Sequence, residues 1–428
     1  MPYQVSETLG KQMSKKLATK RMLVFHSAYT YQQIVNTGME IFVQARDAGN
    51  YFDHILTVSP LASLQYEADH KGFFGKPTFH KLDEKNTILE GRVGRFRLLQ
   101  NFPRINFLLA QFSLTKTIFI KGNLHNVKLV RAEDPRVNGI YGYFFSSLLR
   151  IPLIVGVWGN PGRLRDMNGR PNMPRLFSTM KSEERLEKFV LKRARVVLSQ
   201  NAENMSYVLD SGVPTERTMF TELGVGIDKS HFLPKSEREN VIEDFEAWDC
   251  TGKFLIICIS RLEKSKMVDH AIKAVSTLKS AGVDFKLILV GDGRELMSLK
   301  LLAKDEGLMD NVIFTGNRSQ SWIAGALTHI NINLAPLCGR ALLEASLAGC
   351  AAVAYDIDWH SEIVISGATG YLVPVLNFRM MGQKTLDLYR NPVLCNTLGA
   401  NMYEAAKRFA RPDSIAQKQL QLYKSLVG

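Results

Sequence analysis

The chain has 428 residues with 46% hydrophobic and 22% charged side chains, which are the proportions of a globular protein. This length exceeds one ordinary hydrophobic core, so we expect two domains. No apolar run approaches the roughly 20 residues that a membrane-spanning helix needs. The polar segment 1–20 lacks the apolar centre of a signal peptide, and the five cysteines lack a CxxC spacing. We therefore expect free thiols and a cytoplasmic location.

The net charge of +13 lies entirely in the first half of the chain. Residues 1–235 contain 33 Lys and Arg against 20 Asp and Glu, whereas residues 236–428 contain 21 of each class. Such a positive field attracts an anionic partner: a phosphorylated acceptor, an acidic membrane face or a nucleic acid. A soluble surface with a surplus of lysine is the simpler interpretation, and it stays open.

The first half predicts alternating strands and helices, less clearly than the second. Apolar runs predict strands at 21–26, 54–58, 127–135, 151–159 and 195–199, and helical patterns cover 31–48, 138–149, 183–194 and 203–211. The stretch 65–120 is rich in aromatic and basic residues and has no clear period. The helix near 183–195 has an apolar side and several cations, which predicts a core-facing helix, with peripheral membrane contact as the alternative.

The second half has the clearer rhythm. Apolar runs predict strands at 254–260, 285–293, 312–316, 332–336 and 351–355, with helices between them. Continuous apolar strands that alternate with helices indicate a parallel sheet covered on both faces. The sequence therefore predicts an α/β protein of two doubly wound domains, at 1–234 and 235–410, with a last helix in 411–428 that returns to the first domain.

Candidate ligand-binding residues follow several strands of the second half. Arg261 and Lys266 come after the first strand, where two cations suit a diphosphate. Gly291 follows the next strand, and Gly316 and Asn317 follow the third, as small polar turns that admit a ligand. Each of these features is also common in an ordinary loop. In open parallel sheets, however, ligands bind at the carboxyl ends of the strands, where these residues converge.

The segment CGRALLEASLAG, residues 338–349, predicts a helix whose start faces the same edge. Free backbone amides at Gly339, Arg340, Ala341 and Leu342 could receive a phosphate. Glu344 follows one turn later, and its carboxylate could accept two hydroxyl protons from a ribose. A glutamate that merely complements the helix dipole is the alternative.

The order of these motifs resembles one family. R-x4-K, GDG, TG, G-x-ALLEA and a later Glu362 with Gly370 are similar to the second domain of retaining GT-B glycosyltransferases of family 4, the glycosyl transferases group 1 type. The resemblance covers about residues 190–375, and 224–234 resembles the family's hinge. It implies two Rossmann-like domains that face a central cleft, and a nucleoside diphosphate sugar as donor.

The resemblance also implies roles for individual residues. Arg261 and Lys266 match the pair that binds the donor diphosphate and stabilises the leaving group. Glu344 matches the second glutamate of the E-x7-E motif, which binds the ribose, and Glu362 is placed on the donor side. Two positions depart from the family: Pro336 stands where the first glutamate falls, and Met267 replaces a glycine. The first departure puts the contacts to the donor sugar in doubt.

The run from Asp356 to Glu362 offers a second interpretation. Asp-x-Asp-x-His-x-Glu contains oxygen and nitrogen ligands for a divalent metal. Residues two apart in an extended chain point to opposite faces, however, so the four side chains meet one ion only if the loop curls. Two cations and helix amides already neutralise a diphosphate, so we expect no metal and no other cofactor.

Candidate acceptor-side residues follow two strands of the first half. Glu133 and Asp134 end the strand near 130, where a carboxylate could bind a sugar hydroxyl or assist deprotonation of the acceptor. Arg131 and Arg163 are candidates for an anionic acceptor, and His26 and Tyr29 follow the first strand. An aspartate before a proline also starts ordinary turns, and a lone histidine is more often structural.

The sequence thus predicts a retaining hexosyltransferase of glycan, glycolipid or polysaccharide synthesis. We expect an anionic or membrane-associated acceptor, and a cytoplasmic protein that can lie peripherally on the inner membrane face. A catalytically impaired scaffold that binds nucleotide sugars is the alternative. Nucleic-acid binding is not expected, because the basic half lacks clustered basic and aromatic motifs. The base, the sugar, the acceptor and the oligomeric state stay open.

Overall fold

The computed structural model describes residues 19–27, 29–36, 38–65, 72–174, 176–221 and 226–428. The polar segment 1–18 and the start of the proposed hinge, 222–225, lie outside these residues. The strands are β1 (Arg21–Phe25), β2 (His54–Ser59), β3 (Thr78–Lys81), β4 (Asn86–Glu90), β5 (Val127–Ala132), β6 (Leu153–Val157), β7 (Val196–Ser199), β8 (Thr218–Phe220), β9 (Phe254–Ile259), β10 (Phe285–Val290), β11 (Val312–Gly316), β12 (Ile332–Ala335), β13 (Ala351–Tyr355) and β14 (Gly370–Val373).

Helices connect most of these strands. They are α1 (Tyr31–Asn36), α2 (Glu40–Gln44), α3 (Pro103–Lys121), α4 (Val137–Leu149), α5 (Pro161–Asn168), α6 (Met180–Arg193), α7 (Ala202–Asp210), α8 (Ile242–Ala247), α9 (Val268–Ser280), α10 (Leu296–Asp305), α11 (Gln320–Ala326), α12 (Arg340–Leu347), α13 (His360–Ile363), α14 (Phe378–Arg390), α15 (Pro392–Phe409) and α16 (Pro412–Val427). No helix of the described segments is both long and apolar enough to cross a membrane.

The strands form two separate sheets. The first has the order β3-β4-β2-β1-β5-β6-β7-β8, and the second has the order β11-β10-β9-β12-β13-β14. All pairings within them are parallel except β3 with β4. Helices cover both faces, so the central strands are buried on both sides and read as continuous apolar runs. The predicted α/β class with two doubly wound sheets is confirmed.

The last helix, α16, packs on the first sheet although the chain has by then completed the second. Tyr423 of α16 is fully buried in a cluster with Met22, Val24 and Phe52. Its hydroxyl accepts a hydrogen bond of 2.9 Å from the Arg131 guanidinium. After the second sheet the chain therefore returns to the first sheet, and α16 packs the end of the chain against it.

Two segments differ from the sequence prediction for identifiable reasons. The helix predicted over 31–48 is two short helices, α1 and α2, separated near Gly38, whose φ of +64° lies in the left-handed region. The stretch without a period contains a 19-residue helix, α3. This helix has apolar side chains on both its buried and its exposed faces, so the contrast that produces a helical period is absent.

Candidate active site

A cavity of about 230 Å³ opens at the carboxyl edge of the second sheet and is closed on one side by the first half of the chain. Arg261 and Lys266 both line it, from the loop that follows β9. Burial lowers the pKa of the Lys266 ammonium, and the adjacent charge of Arg261 lowers it further. A bound diphosphate would reduce the repulsion between these two neighbouring positive charges.

Glycines fix the position of this loop. Gly291 has a φ of +137°, and a Cβ atom added there would lie 2.0 Å from the Ser260 carbonyl oxygen. The Ser260 and Leu262 amides donate to the Val290 and Asp292 carbonyl oxygens at 3.0 Å each. The glycine therefore allows the loop that carries Arg261 to lie directly on the loop after β10. Gly291 lines the cavity and has a packing role in addition to the predicted contact with a ligand.

The start of α12 forms the floor of the cavity. Gly339, Arg340 and Ala341 line it, and the first amides of a helix have no partner within the helix. The Arg340 guanidinium donates to the Gly226 carbonyl oxygen at 2.7 Å and lies over the Phe42 ring, so it bridges to the first half of the chain. Leu342 is a correction: its side chain is in the hydrophobic core and its amide donates to the Gly339 carbonyl oxygen.

Glu344 is the most informative side chain of the cavity. It is only 5% exposed, on the second turn of α12, and it lines the cavity wall. Within the described residues its carboxylate has no hydrogen bond and no ion pair. Because the carboxylate faces the cavity and has no protein partner there, its oxygens are available to accept hydrogen bonds from a ligand. This arrangement is consistent with a carboxylate that accepts ligand hydroxyls.

The loop after β11 completes the donor side. Gly316 ends β11 with a φ of +70° and lies outside the cavity lining, whereas Asn317 is exposed on the cavity wall. Arg318, Gln320 and Ile323 also line the cavity, and no sequence motif predicts them because they follow an ordinary polar turn. The Arg318 guanidinium stacks over the Trp322 ring at 4.8 Å, which holds it beside the cavity.

The acidic run after β13 does not converge. Asp358 accepts a hydrogen bond of 2.9 Å from Asn201, and Glu362 accepts one of 2.6 Å from the Ala202 amide. His360 is fully buried between the carbonyl oxygens of Tyr355 and Cys338, at 2.9 and 3.1 Å. No group of three or more metal-ligating side chains occurs in the described residues.

Glu362 is therefore a correction to the predicted donor-side residue, because its carboxylate binds the start of α7 and lies outside the cavity lining. Burial raises the pKa of Glu362, and burial together with the neighbouring Glu203 raises the pKa of Asp358 to about 6. Asp358 and Glu362 join the second sheet's loop to the first half of the chain. This contact between the halves has no signal in the local sequence.

A second cavity, of about 520 Å³, lies in the first half of the chain. Asp134 and His26, two of the residues predicted for the acceptor side, both line it. Asp134 accepts hydrogen bonds from the Arg136 amide at 2.7 Å and from the Asn138 side chain, and a quarter of its side chain is exposed. Burial, and then Arg46, lower the pKa of His26 to about 3, so its imidazole is neutral.

Glu133 belongs to a buried ion cluster. Its Oε1 lies 3.2 Å from Arg46 Nε and 2.9 Å from Arg131 Nε, and its Oε2 accepts a bond of 2.6 Å from Trp158. Burial alone would raise the pKa of Glu133, but Arg131 and Arg46 outweigh it and lower the pKa to about 2. A carboxylate this acidic is a poor base, which corrects the predicted role of Glu133 in deprotonating the acceptor.

Three further acceptor-side predictions need correction. Arg131 is buried between Glu133 and Tyr423, so its charge is already compensated in the interior. Arg163 donates to Glu203 at 2.9 Å and does not line the cavity near Asp134. Tyr29 lines the donor-side cavity rather than the acceptor-side one. The residues that sequence reasoning missed around Asp134 are largely apolar, among them Leu61, Phe107, Val137 and Leu176.

Comparison with known proteins finds a similar family in the second half of the chain. Residues 240–408 match the family model described as glycosyl transferases group 1. The chain is 32% identical over 182 residues to an exopolysaccharide phosphotransferase of Streptomyces coelicolor. The aligned segment covers 42% of this chain and 19% of that protein. It is 26% identical over 171 residues to the poly(glycerol-phosphate) alpha-glucosyltransferase of Bacillus subtilis, which covers 38% of this chain and 25% of that protein. The matches thus span a quarter or less of these two relatives.

The fold extends the similarity to nearly the whole chain. HepE of Anabaena, solved in complex with UDP and with UDP-glucose, aligns with a TM-score of 0.68 at 17% identity, over 95% of this chain and all of that one. At this identity the alignment establishes the fold alone. The similarity to the glycosyl transferases group 1 family is thus confined to residues 240–408, whereas the GT-B fold extends over the described residues of the chain.

Proposed function

We propose that the chain transfers a hexosyl group from a nucleoside diphosphate sugar to an acceptor hydroxyl, with retention of configuration. One observation carries the proposal: Glu344, buried and without a partner, shares a cavity with Arg261 and Lys266. A nucleoside diphosphate supplies what each group lacks. Its phosphates bring negative charge to the two cations, and its ribose brings hydroxyl donors to the carboxylate.

The chemistry follows from this placement. When the bond between the anomeric carbon and the diphosphate breaks, negative charge develops on the leaving oxygen. Arg261, Lys266 and the first amides of α12 stabilise that charge in a site that is already organised for it. The leaving diphosphate takes the acceptor proton on the same face, so retention requires no nucleophile from the protein. Closure of the two halves excludes water, which would otherwise hydrolyse the donor.

The acceptor binds in the cavity of the first half. Asp134 offers its carboxylate to an acceptor hydroxyl, and the neutral imidazole of His26 lies on the same wall. The two cavities approach each other near His26, which lines the cavity of Asp134, and Tyr29, which lines the cavity of Glu344. The excess positive charge of residues 1–235 favours an acceptor that is anionic or carried on a membrane.

UDP-glucose is the first donor to test, because HepE was solved with it. The measurement is release of UDP from UDP-glucose and other sugar nucleotides, with and without a chelator. We expect slow release that the chelator does not change, because protein cations supply the charge stabilisation. Loss of activity in chelator that a divalent ion restores would return the acidic run to consideration as a metal site.

The same assay separates the alternative of an impaired scaffold. Such a protein would show a thermal shift with nucleoside diphosphates but no release of product from any donor. Absence of both binding and release across the common nucleoside diphosphate sugars would contradict the proposed function.

A further inference from the structure

The outer face of α3 is an unusual surface for a protein in water. Ile105, Leu108, Leu109, Phe112, Phe119 and Ile120 recur at helical spacing on this face, and all six are exposed. Phe112 is 70% exposed and Leu108 is 64% exposed. The opposite face buries Phe107, Leu114 and Ile118 in the first hydrophobic core. We call the six exposed residues the α3 face. A contiguous apolar surface of this kind marks a site of interaction.

The charge around the α3 face has one sign. Residues 91–132 contain eight Lys and Arg and no Asp or Glu, and two of the eight, Arg92 and Arg131, are buried and paired with Glu90 and Glu133. Arg104, Lys116 and Lys121 of α3 are exposed, and Lys116 lies within the α3 face itself. None of these three cations has an ion pair among the described residues. An apolar face that contains and borders unpaired cations is suited to a partner that is apolar inside and anionic outside.

The α3 face is continuous with the acceptor side of the cleft. Phe107, on the inner side of the same helix, lines both the cavity near Asp134 and an apolar groove of about 380 Å³. Ile140 and Phe144 of α4 form the other wall of that groove, and Phe144 packs edge-on against Phe119 at 6.4 Å between ring centroids. An apolar surface therefore leads from the α3 face toward Asp134.

We propose that the α3 face docks on the surface of an anionic lipid bilayer. The exposed rings and aliphatic side chains enter the boundary between headgroups and acyl chains, while Arg104, Lys116 and Lys121 contact lipid phosphates. A second copy of the chain fits this face poorly, because a symmetric contact would bring together two surfaces that both carry the cations Arg104, Lys116 and Lys121 and no carboxylate from α3. The inference rests on the proposed function only in placing a membrane-borne acceptor beside Asp134.

Vesicle sedimentation with the full chain tests the proposal. Phosphatidylcholine vesicles are compared with vesicles in which about a third of the lipid is phosphatidylglycerol. The variant Leu108→Ser/Phe112→Ser disrupts the α3 face. Met297→Ser/Leu301→Ser, on α10, is the matched control, because its side chains are 74% and 59% exposed on the other half of the chain. We expect binding to the anionic vesicles, a loss of at least about 10-fold in the α3 variant and no change in the control.

Charge reversal provides a variant that leaves the apolar side chains in place. Lys116→Glu/Lys121→Glu should abolish the preference for anionic vesicles, since both residues are exposed and their replacement removes no core packing. UDP release from the donor without vesicles, measured on the same proteins, should be equal in the wild type and all variants. If UDP release is absent but binding to vesicles follows the α3 face, the docking surface stands and the proposed function fails.

Three outcomes would overturn the docking surface. The first is a wild-type protein that does not sediment with anionic vesicles, and the second is an α3 variant that binds as well as the α10 control. The third is a dimer in analytical ultracentrifugation that the α3 variant dissociates, which would make the α3 face a subunit interface.

Discussion

The two sides of the cleft treat their charged residues differently. On the donor side, Arg261, Lys266 and Glu344 face a cavity, and Glu344 has no partner among the described residues. On the acceptor side, Glu133 and Arg131 neutralise each other in the interior, and Arg163 pairs with Glu203. Charged residues near the carboxyl ends of strands thus face a cavity in one half and pair with each other in the other. What separates the two cases is whether the protein itself supplies the counter-charge.

The largest effect should come from breaking the acceptor-side ion cluster. Glu133→Gln leaves Arg46 and Arg131 buried with no counter-charge, so we expect a loss of about 3–5 kcal/mol in the free energy of unfolding. Because the folded pKa of Glu133 is lowered from 4.5 to about 2, its contribution is present above pH 4.5 and is lost as the pH falls toward 2. Denaturant unfolding near neutral pH measures the effect.

The partially exposed pair on the same side provides the control. Glu203→Gln removes the partner of Arg163, and both side chains are accessible to water, so the expected loss is below about 1 kcal/mol. Equal losses for the two variants would show that the buried cluster is not what distinguishes the acceptor side.

Replacing a cation on the donor side should affect turnover and not stability. Arg261→Ala or Lys266→Ala removes a group that stabilises the leaving diphosphate, so we expect kcat/KM to fall by at least ~100-fold. Lys264→Ala is the matched control, because Lys264 lies on the same loop but is exposed and outside the cavity lining. Near-normal transfer by both cavity variants, measured with the best donor, would contradict the assignment of these residues.

Glu344→Gln should weaken donor binding without lowering the thermal stability of the protein. The neutral amide accepts ribose hydroxyl bonds less strongly, so we expect the KM for the donor to rise about 10-fold. The same change breaks no hydrogen bond or ion pair of the described residues, so the melting temperature of the donor-free protein should not fall. Steady-state kinetics and thermal unfolding on one preparation test both parts. A lower melting temperature with an unchanged KM would mean that Glu344 is structural.

The difference between the two sides also explains what the sequence could predict. Arg261, Lys266, Gly339 and Glu344 each lie just after a strand or at a helix start, and in a parallel sheet those positions meet at one edge. Local patterns therefore suffice to bring them together. Gly291 was assigned to this edge as well, but its close approach to Ser260 depends on the packing of two loops.

The acceptor side depends on partners that are distant in the sequence. Arg131 and Glu133 are two residues apart, but Arg46 and Tyr423 complete their cluster from the two ends of the chain. No local pattern contains this information, so the sequence predicts acceptor-side roles for Arg131 and Glu133 where the structure shows a buried ion cluster. The helix α3 was missed for another reason: the apolar residues that serve its core and those on its outer face together erase the period.

The smallest effect should arise where the two sides meet, at the Asp358–Asn201 hydrogen bond. Because burial raises the pKa of Asp358 from 3.8 to about 6, the folded state holds this proton more tightly than the unfolded state does. Asp358 therefore stabilises the fold fully below pH 3.8, and this contribution is lost as the pH rises through 6. Asp358 is partly exposed, so we expect the change to be on the order of 1 kcal/mol or less.

Melting temperatures of wild type and Asp358→Asn between pH 3.8 and about 6 measure this change. Glu362→Gln is a second variant, because the pKa of Glu362 is also raised. If Asp358→Asn retains the full pH dependence of the wild type, the contact between the two sides does not titrate through Asp358.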